Sequence, residues 1–166
     1  MPAHPAGTPD ASYRERDAPD LLEVGDPVPQ EEFLTHADTT LSLGDLEGKA
    51  VLLTFIYTQC PIPDFCPLMS QNFARLQPIL RERYGRRIHL LSVSFDPSHD
   101  TPAVLRDYAR RFTDDLTTWT FATGDSATVS RFARRFGEFY SRSGGEIIHN
   151  LVTVLIGPNG RIQGFW

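Results

Sequence analysis

One stretch constrains this chain more than any other: an apolar strand that runs directly into a two-cysteine loop. Residues 50–68 read AVLLTFIYTQCPIPDFCPL and contain both cysteines of the protein, Cys60 and Cys66. The segment 51–57 is rich in β-branched and aromatic residues and lacks polar alternation, the pattern of a strand buried on both faces. Pro67 suits a first helical turn, and Met69, Phe73, Leu76 and Leu80 then recur on one helical face, so a helix is expected over 67–84. The two thiols therefore lie in a strand-to-helix crossover. Free backbone amides and the positive end of a helix dipole favour a thiolate over a thiol in such a place.

The rest of the chain is sufficient for one domain around that crossover. It has 166 residues, 40% hydrophobic and 22% charged. Residues 1–20, rich in Pro, Ala, Asp and Arg, offer too little apolar surface to offset the entropy of ordering and are expected to form a disordered tail ahead of a domain at 21–166. A formal net charge of −5 without a basic cluster argues against nucleic acid as a partner. The pairs Arg110–Arg111 and Arg134–Arg135 read as solvated helix faces. No run of ~18 or more apolar residues is present to span a membrane. The first residues also lack the basic and apolar regions of a signal peptide, so any membrane attachment would be through an anchor absent from this chain. Two cysteines alone fit a structural disulfide, a redox pair or soft metal ligands.

Taken in order, residues 33–35 and 40–43 suggest a short hairpin turning at His36, Ala37, Asp38 and Thr39. The central strand and its helix follow, with Pro78 expected to kink that helix and Gly85 to stop it. Residues 88–95 form a second strand. Asp96, Pro97, Ser98, His99 and Asp100 make a polar loop, with Asp100 or Thr101 capping a helix that begins near Pro102 and buries Val104, Leu105, Tyr108 and Phe112. A third strand at 118–122 leads to a helix carrying Val129, Phe132, Ala133 and Phe136 on one face. Residues 151–156 and 161–165 then form an antiparallel hairpin around the turn Gly157, Pro158, Asn159 and Gly160. Alternating strands and helices followed by a β-hairpin give an α/β fold of thioredoxin-like arrangement: a central mixed sheet, flanking helices and an N-terminal hairpin extension. A helix usually follows the last hairpin. The chain stops at Trp166, so this final covering helix is expected to be missing.

The spacing C-x5-C is weak evidence by itself, because a small disulfide loop or two buried free thiols would also explain it. Prolines that stiffen the loop, at the C-terminal end of a strand, favour sulfurs held for use. Of the five histidines, His149 alone precedes an apolar strand in the position that faces the cysteine loop in a thioredoxin-type fold. A histidine there can meet both sulfurs, and two thiolates with one imidazole suit Cu(I) or, with a fourth ligand, Zn(II). His4, His36, His89 and His99 read as ordinary satisfied side chains.

Two comparisons narrow the chemistry. A peroxiredoxin places Thr or Ser three residues before its reactive cysteine and Pro seven before it, where this chain has Tyr57 and Leu53. Thioredoxin-like exchangers carry a proline just before the penultimate core strand, where this chain has His149 and Asn150.

With these residues laid out, the chain resembles the Sco/SenC family of copper-binding assembly factors for cytochrome c oxidase, over roughly 24–166. The resemblance rests on Val24-Gly25-Asp26-Pro27, Gly48-Lys49, the cysteine loop with Cys66-Pro67, Ser92-Val93-Ser94-Phe95-Asp96-Pro97 with Asp100-Thr101-Pro102, Gly124-Asp125, and His149 ahead of a strand ending in Gly157-Pro158-Asn159-Gly160. It implies Cys60, Cys66 and His149 as ligands of copper, Cu(I) or Cu(II), with the thiol pair also able to cycle to a disulfide. It further implies a periplasmic or otherwise extracytoplasmic protein that delivers copper to a cytochrome c oxidase subunit or another copper protein, or maintains the thiols of its copper site. A catalytic thiol-disulfide oxidoreductase using the Cys60/Cys66 pair is the alternative. The loop departs from the family's C-x3-C by two residues. Asp96 and Asp100 match the family's acidic loop, and turn formation and helix capping explain them equally well.

Overall fold

The central strand β3 (Ala50–Ile56) owes its place to its sequence: Leu53, Phe55 and Ile56 are at most 1% exposed, so both faces are buried over its C-terminal half. A computed structural model describes residues 21–144 and 146–166, and the expected tail at 1–20 lies outside the described residues. β3 pairs in parallel with β4 (Ile88–Ser94), from Ala50 opposite Ile88 to Ile56 opposite Ser94. β4 pairs in parallel with β5 (Trp119–Thr123). On its other side β3 runs antiparallel to β8 (Thr153–Ile156), which turns back into β9 (Ile162–Phe165). The expected N-terminal hairpin forms from β1 (Glu32–Thr35) and β2 (Thr40–Ser42), and β1 adds antiparallel to β5. The result is a seven-stranded mixed sheet of order β2-β1-β5-β4-β3-β8-β9, the α/β thioredoxin-like architecture expected from the sequence.

Among the described residues three α-helices cover the sheet: α1 (Cys66–Tyr84), α2 (Pro102–Ala109) and α3 (Ser126–Arg135). The caps follow from side-chain chemistry. Thr101 accepts the Val104 amide and Asp125 accepts the Thr128 amide, each satisfying a donor that the first turn leaves open. Val129, Phe132, Ala133 and Phe136 are buried, and Phe132 packs against Phe33, Phe55 and Phe136.

α1 differs from expectation in its face. It is one continuous helix through Pro78, which sits on the solvent side. The buried line is Cys66, Ser70, Phe73 and Gln77, whereas Leu76 is 37% exposed. The polar members of that line are satisfied. The Ser70 and Tyr108 hydroxyls lie 2.9 Å apart, and the Gln77 amide donates to the Asp115 carbonyl and the Thr118 hydroxyl while accepting from Thr113. The expected stripe is therefore broadened rather than lost: Phe73 is buried and Met69 and Leu80 pack partly buried against the core, while Ser70 and Gln77, buried with their hydrogen bonds made, take the place of the exposed Leu76.

A second difference lies ahead of β8. There β6 (Tyr140–Ser143) and β7 (Glu146–His149) form a separate antiparallel hairpin for which the sequence gives no expectation, with His149 opposite Tyr140. Tyr140 stacks on Phe95, just beyond β4, with ring centroids 4.8 Å apart and planes 16° from parallel. That contact seats the hairpin over the ends of β3 and β4, where the cysteine loop begins.

Candidate metal centre

The cysteine loop leaves β3 through two turns. Cys60 donates its amide to the Tyr57 carbonyl at 3.3 Å, and Phe65 donates to Ile62 at 3.1 Å. The second turn takes up the longer spacing and returns the chain so that Cys66 opens α1, buried at 0% exposure. Phe65, at the N-cap, offers no capping side chain. Burial works against the Cys60 thiolate, but backbone hydrogen bonds from Ile62 and Cys66 and side-chain contacts with Cys66 and His149 outweigh that, and its pKa falls below the ordinary thiol value. Cys66 goes the other way, since deep burial pushes its thiol up despite the His149 contact. Both cysteines are free, and Cys60 is the half-exposed one.

His149 reaches this loop from the end of β7. Its Nε2 lies 3.4 Å from the Cys66 sulfur, and its side chain is only 2% exposed. The ring is boxed by Tyr57, Phe65 and Phe95, with centroids at 5.7, 5.6 and 4.8 Å. The Tyr57 hydroxyl donates to the Ile147 carbonyl at 3.1 Å, tying the end of β3 to β7. On the far side of the ring, Nδ1 faces the Asn150 carbonyl at 2.5 Å and Glu138 Oε1 at 3.2 Å. Burial alone would lower the His149 pKa, but the contacts with Cys66 and Glu138 raise it above the ordinary imidazole value. Burial raises Glu138 to about 7, although its contact with His149 pulls it down.

One ligand atom from each of Cys60, Cys66 and His149 lies within 4.8 Å of the others, a separation a single ion can bridge. The three residues singled out in the sequence thus come together despite the two added loop residues. Two soft sulfurs with one imidazole fit a soft monovalent cation, Cu(I) above all. The other described histidines behave as ordinary side chains. His36 Nδ1 accepts the Phe121 amide, His89 pairs with Thr120, and His99 contacts Asp100; His4 lies outside the described residues.

Of the two expected caps Thr101 serves and Asp100 does not, while the expected turn forms with the His99 and Asp100 amides on the Asp96 carbonyl. Fully buried, Asp100 accepts the Thr58 amide and hydroxyl and the Ser94 hydroxyl, and so fixes the start of the cysteine loop. Glu138 was missed altogether. A lone glutamate after Gly137 carries no spacing signal, and only the fold brings it to His149.

Residues 27–166 match the model of the SCO1/SenC family. The SCO1 protein homolog of Bacillus subtilis (strain 168) is 29% identical over 148 residues, covering 84% of this chain and 75% of that protein. Among solved structures, a SCO1/SenC family lipoprotein from Bacillus anthracis str. Ames superposes with a TM-score of 0.79 at 26% identity, over 88% of each chain. BsSco, described as a member of the Sco family of cytochrome c oxidase assembly proteins with a disulfide switch, superposes with a TM-score of 0.75 at 26% identity, over 89% of this chain and 87% of that one.

Proposed function

We propose that this chain, which belongs to the SCO1/SenC family, is a copper-binding protein of cytochrome c oxidase assembly whose ligands are Cys60, Cys66 and His149. The observation that carries the proposal is the convergence of those three side chains at the open end of the central strand. Copper is the cargo. Cys66 and His149 are the enclosed ligands, and Cys60, half-exposed at the mouth, is the one an incoming donor or acceptor can reach. Transfer to a thiol- or imidazole-bearing oxidase subunit then proceeds by ligand exchange, beginning or ending at Cys60. The working location is extracytoplasmic, in keeping with the lipoprotein among its relatives. Among the described residues no helix is long and apolar enough to cross a membrane.

Anaerobic titration of the reduced protein with Cu(I) against a chromophoric chelator tests this reading. One equivalent should bind, Cys60→Ser or Cys66→Ser should abolish tight binding, and His149→Ala should weaken it. Undiminished affinity in His149→Ala would remove His149 from the site, and no uptake by the parent protein would end the copper reading.

The depressed Cys60 pKa supports a second role, maintenance of a partner's thiols. The Cys60 thiolate attacks a partner disulfide, one partner sulfur leaves as thiolate, and Cys66 then displaces the other. The partner ends as a dithiol and this chain as a Cys60–Cys66 disulfide. Reduction of an oxidase-derived disulfide peptide that survives both chelation and His149→Ala would favour this role over delivery.

A further inference from the structure

We infer that Glu138 is a positioning residue for His149, holding the ring so that Nδ1 faces the protein and Nε2 faces the thiols. The inference rests on the copper reading of Cys60, Cys66 and His149 and extends it one residue outward.

Glu138 lies in the link between α3 and β6 and is 0% exposed. A carboxylate is seldom buried so completely without a strong partner. Its Oε1 reaches His149 Nδ1 at 3.2 Å, while its Oε2 is buried with no hydrogen-bond partner among the described residues. An apolar side chain of similar volume would avoid that unpaired oxygen, so packing alone does not account for an acid here.

The backbone on either side is clipped in place. The Asn150 side-chain amide donates to the Gly137 carbonyl at 2.8 Å, the Phe139 amide donates to Asn150 Oδ1 at 2.6 Å, and the Asn150 amide donates to the Phe139 carbonyl at 3.3 Å. These bonds lock 137–139 against 149–150 and point the intervening Glu138 inward. With two acceptors at Nδ1, the Asn150 carbonyl and Glu138, that nitrogen carries the proton and Nε2 is turned to the sulfurs. The Asn150 carbonyl belongs to the residue next to the histidine and moves with it. Glu138 comes from a different segment that is clipped to the histidine's backbone, and it therefore fixes the rotation of the ring on that backbone, as outer carboxylates do for metal-binding imidazoles.

The test compares the parent protein with Glu138→Gln, Glu138→Met, His149→Ala and the Glu138→Met/His149→Ala double variant, each confirmed as folded by urea titration. Two readouts are taken: Cu(I) affinity by chelator competition, and, in the reduced metal-free proteins, NOEs from the His149 ring to Tyr57, Phe65 and Phe95. Gln keeps an acceptor at the Oε1 position, so it should preserve the NOEs and bind within about 3-fold of the parent. Met should alter the NOEs and weaken binding about 10- to 100-fold. Adding Glu138→Met to His149→Ala should cost nothing further. A folded Met variant with parental affinity and NOEs overturns the inference, as does Gln falling as far as Met, or an additional loss in the double variant. If the parent protein takes up no Cu(I), the copper reading has failed, and the metal-free NOEs still decide whether Glu138 orients the ring.

Discussion

Asp100 accepts the backbone N–H of Thr58 at 3.0 Å and its hydroxyl at 2.5 Å, joining the turn after β4 to the residue two places ahead of Cys60. The same carboxylate takes the Ser94 hydroxyl at 2.5 Å and lies 2.9 Å from His99 Nδ1, and it is wholly buried. The position of the first cysteine is thus set by a buried carboxyl group in the loop beyond the ends of the paired strands β3 and β4.

Replacing that carboxyl group should be costly. Asp100→Ala leaves the Thr58 amide and the Ser94 hydroxyl without their acceptor in a dry site. A loss of about 3–5 kcal/mol is expected in urea unfolding, in the range for breaking one partner of a buried charged network. Asp100→Asn, which keeps one acceptor oxygen, should lose less. Equal stabilities for Asp100→Ala and the parent protein would mean that the loop is held from elsewhere.

The two thiols should be chemically distinct in the reduced protein. Cys60 is half-exposed with a lowered pKa, whereas Cys66 is buried with a raised one. Iodoacetamide acts on accessible thiolate, so Cys60 should alkylate at least about tenfold faster at neutral pH. Time-resolved mass spectrometry of the two peptides reads this directly, and equal rates would contradict the asymmetry.

Much of this site was legible in the sequence because its parts carry strong local signals. A doubly buried strand such as 51–57 has few alternatives, Pro67 marks a helix start, and the βαβ order places the crossover loop at one end of the sheet. His149 could be paired with the cysteines only through fold analogy, and the structure places it there on a strand of a hairpin that was not foreseen. Weak alternation and the central glycine at 144 hid β6 and β7. What the sequence could not carry were contacts between distant segments. The inward face of α1 depends on Gln77 meeting Asp115 and Thr118, and Glu138 gains meaning only beside a residue eleven places on. Hydrophobic periodicity reports burial of apolar groups and is silent about polar groups that are buried and paired.

Acid should unfold the protein partly through His89. Burial, helped by Lys49 and His36, lowers its pKa from 6.5 to about 4. The neutral ring is therefore the form the fold accepts. Its contribution is present above pH 6.5 and is lost as pH falls toward 4, because the unfolded chain takes up the proton first. A shift of this size corresponds to at most about 3 kcal/mol. His89→Gln, which can still bond Thr120, should flatten the stability profile across that window when unfolding is measured by urea titration at successive pH values. An unchanged slope would place the acid sensitivity in other groups, His36 first among them, since burial also lowers its pKa.

Copper affinity should rise with pH, and the reason lies in where the metal-free site keeps its protons. Cys66 binds copper as a thiolate, yet burial raises its pKa, so at neutral pH it holds a proton that must leave. His149 binds through a neutral ring, yet Cys66 and Glu138 favour its charged form despite burial. These two groups are in contact, so the proton on one affects the other, and the pair as a whole surrenders at least one proton when the metal enters. The logarithm of the apparent Cu(I) affinity should therefore climb by about one or more per pH unit between roughly pH 6 and 8. Competition titrations in that range, with the chelator's own protonation accounted for, measure the slope. A flat profile would mean that both cysteines are already thiolates and His149 already neutral before copper arrives, and would reverse the directions assigned to Cys66 and His149.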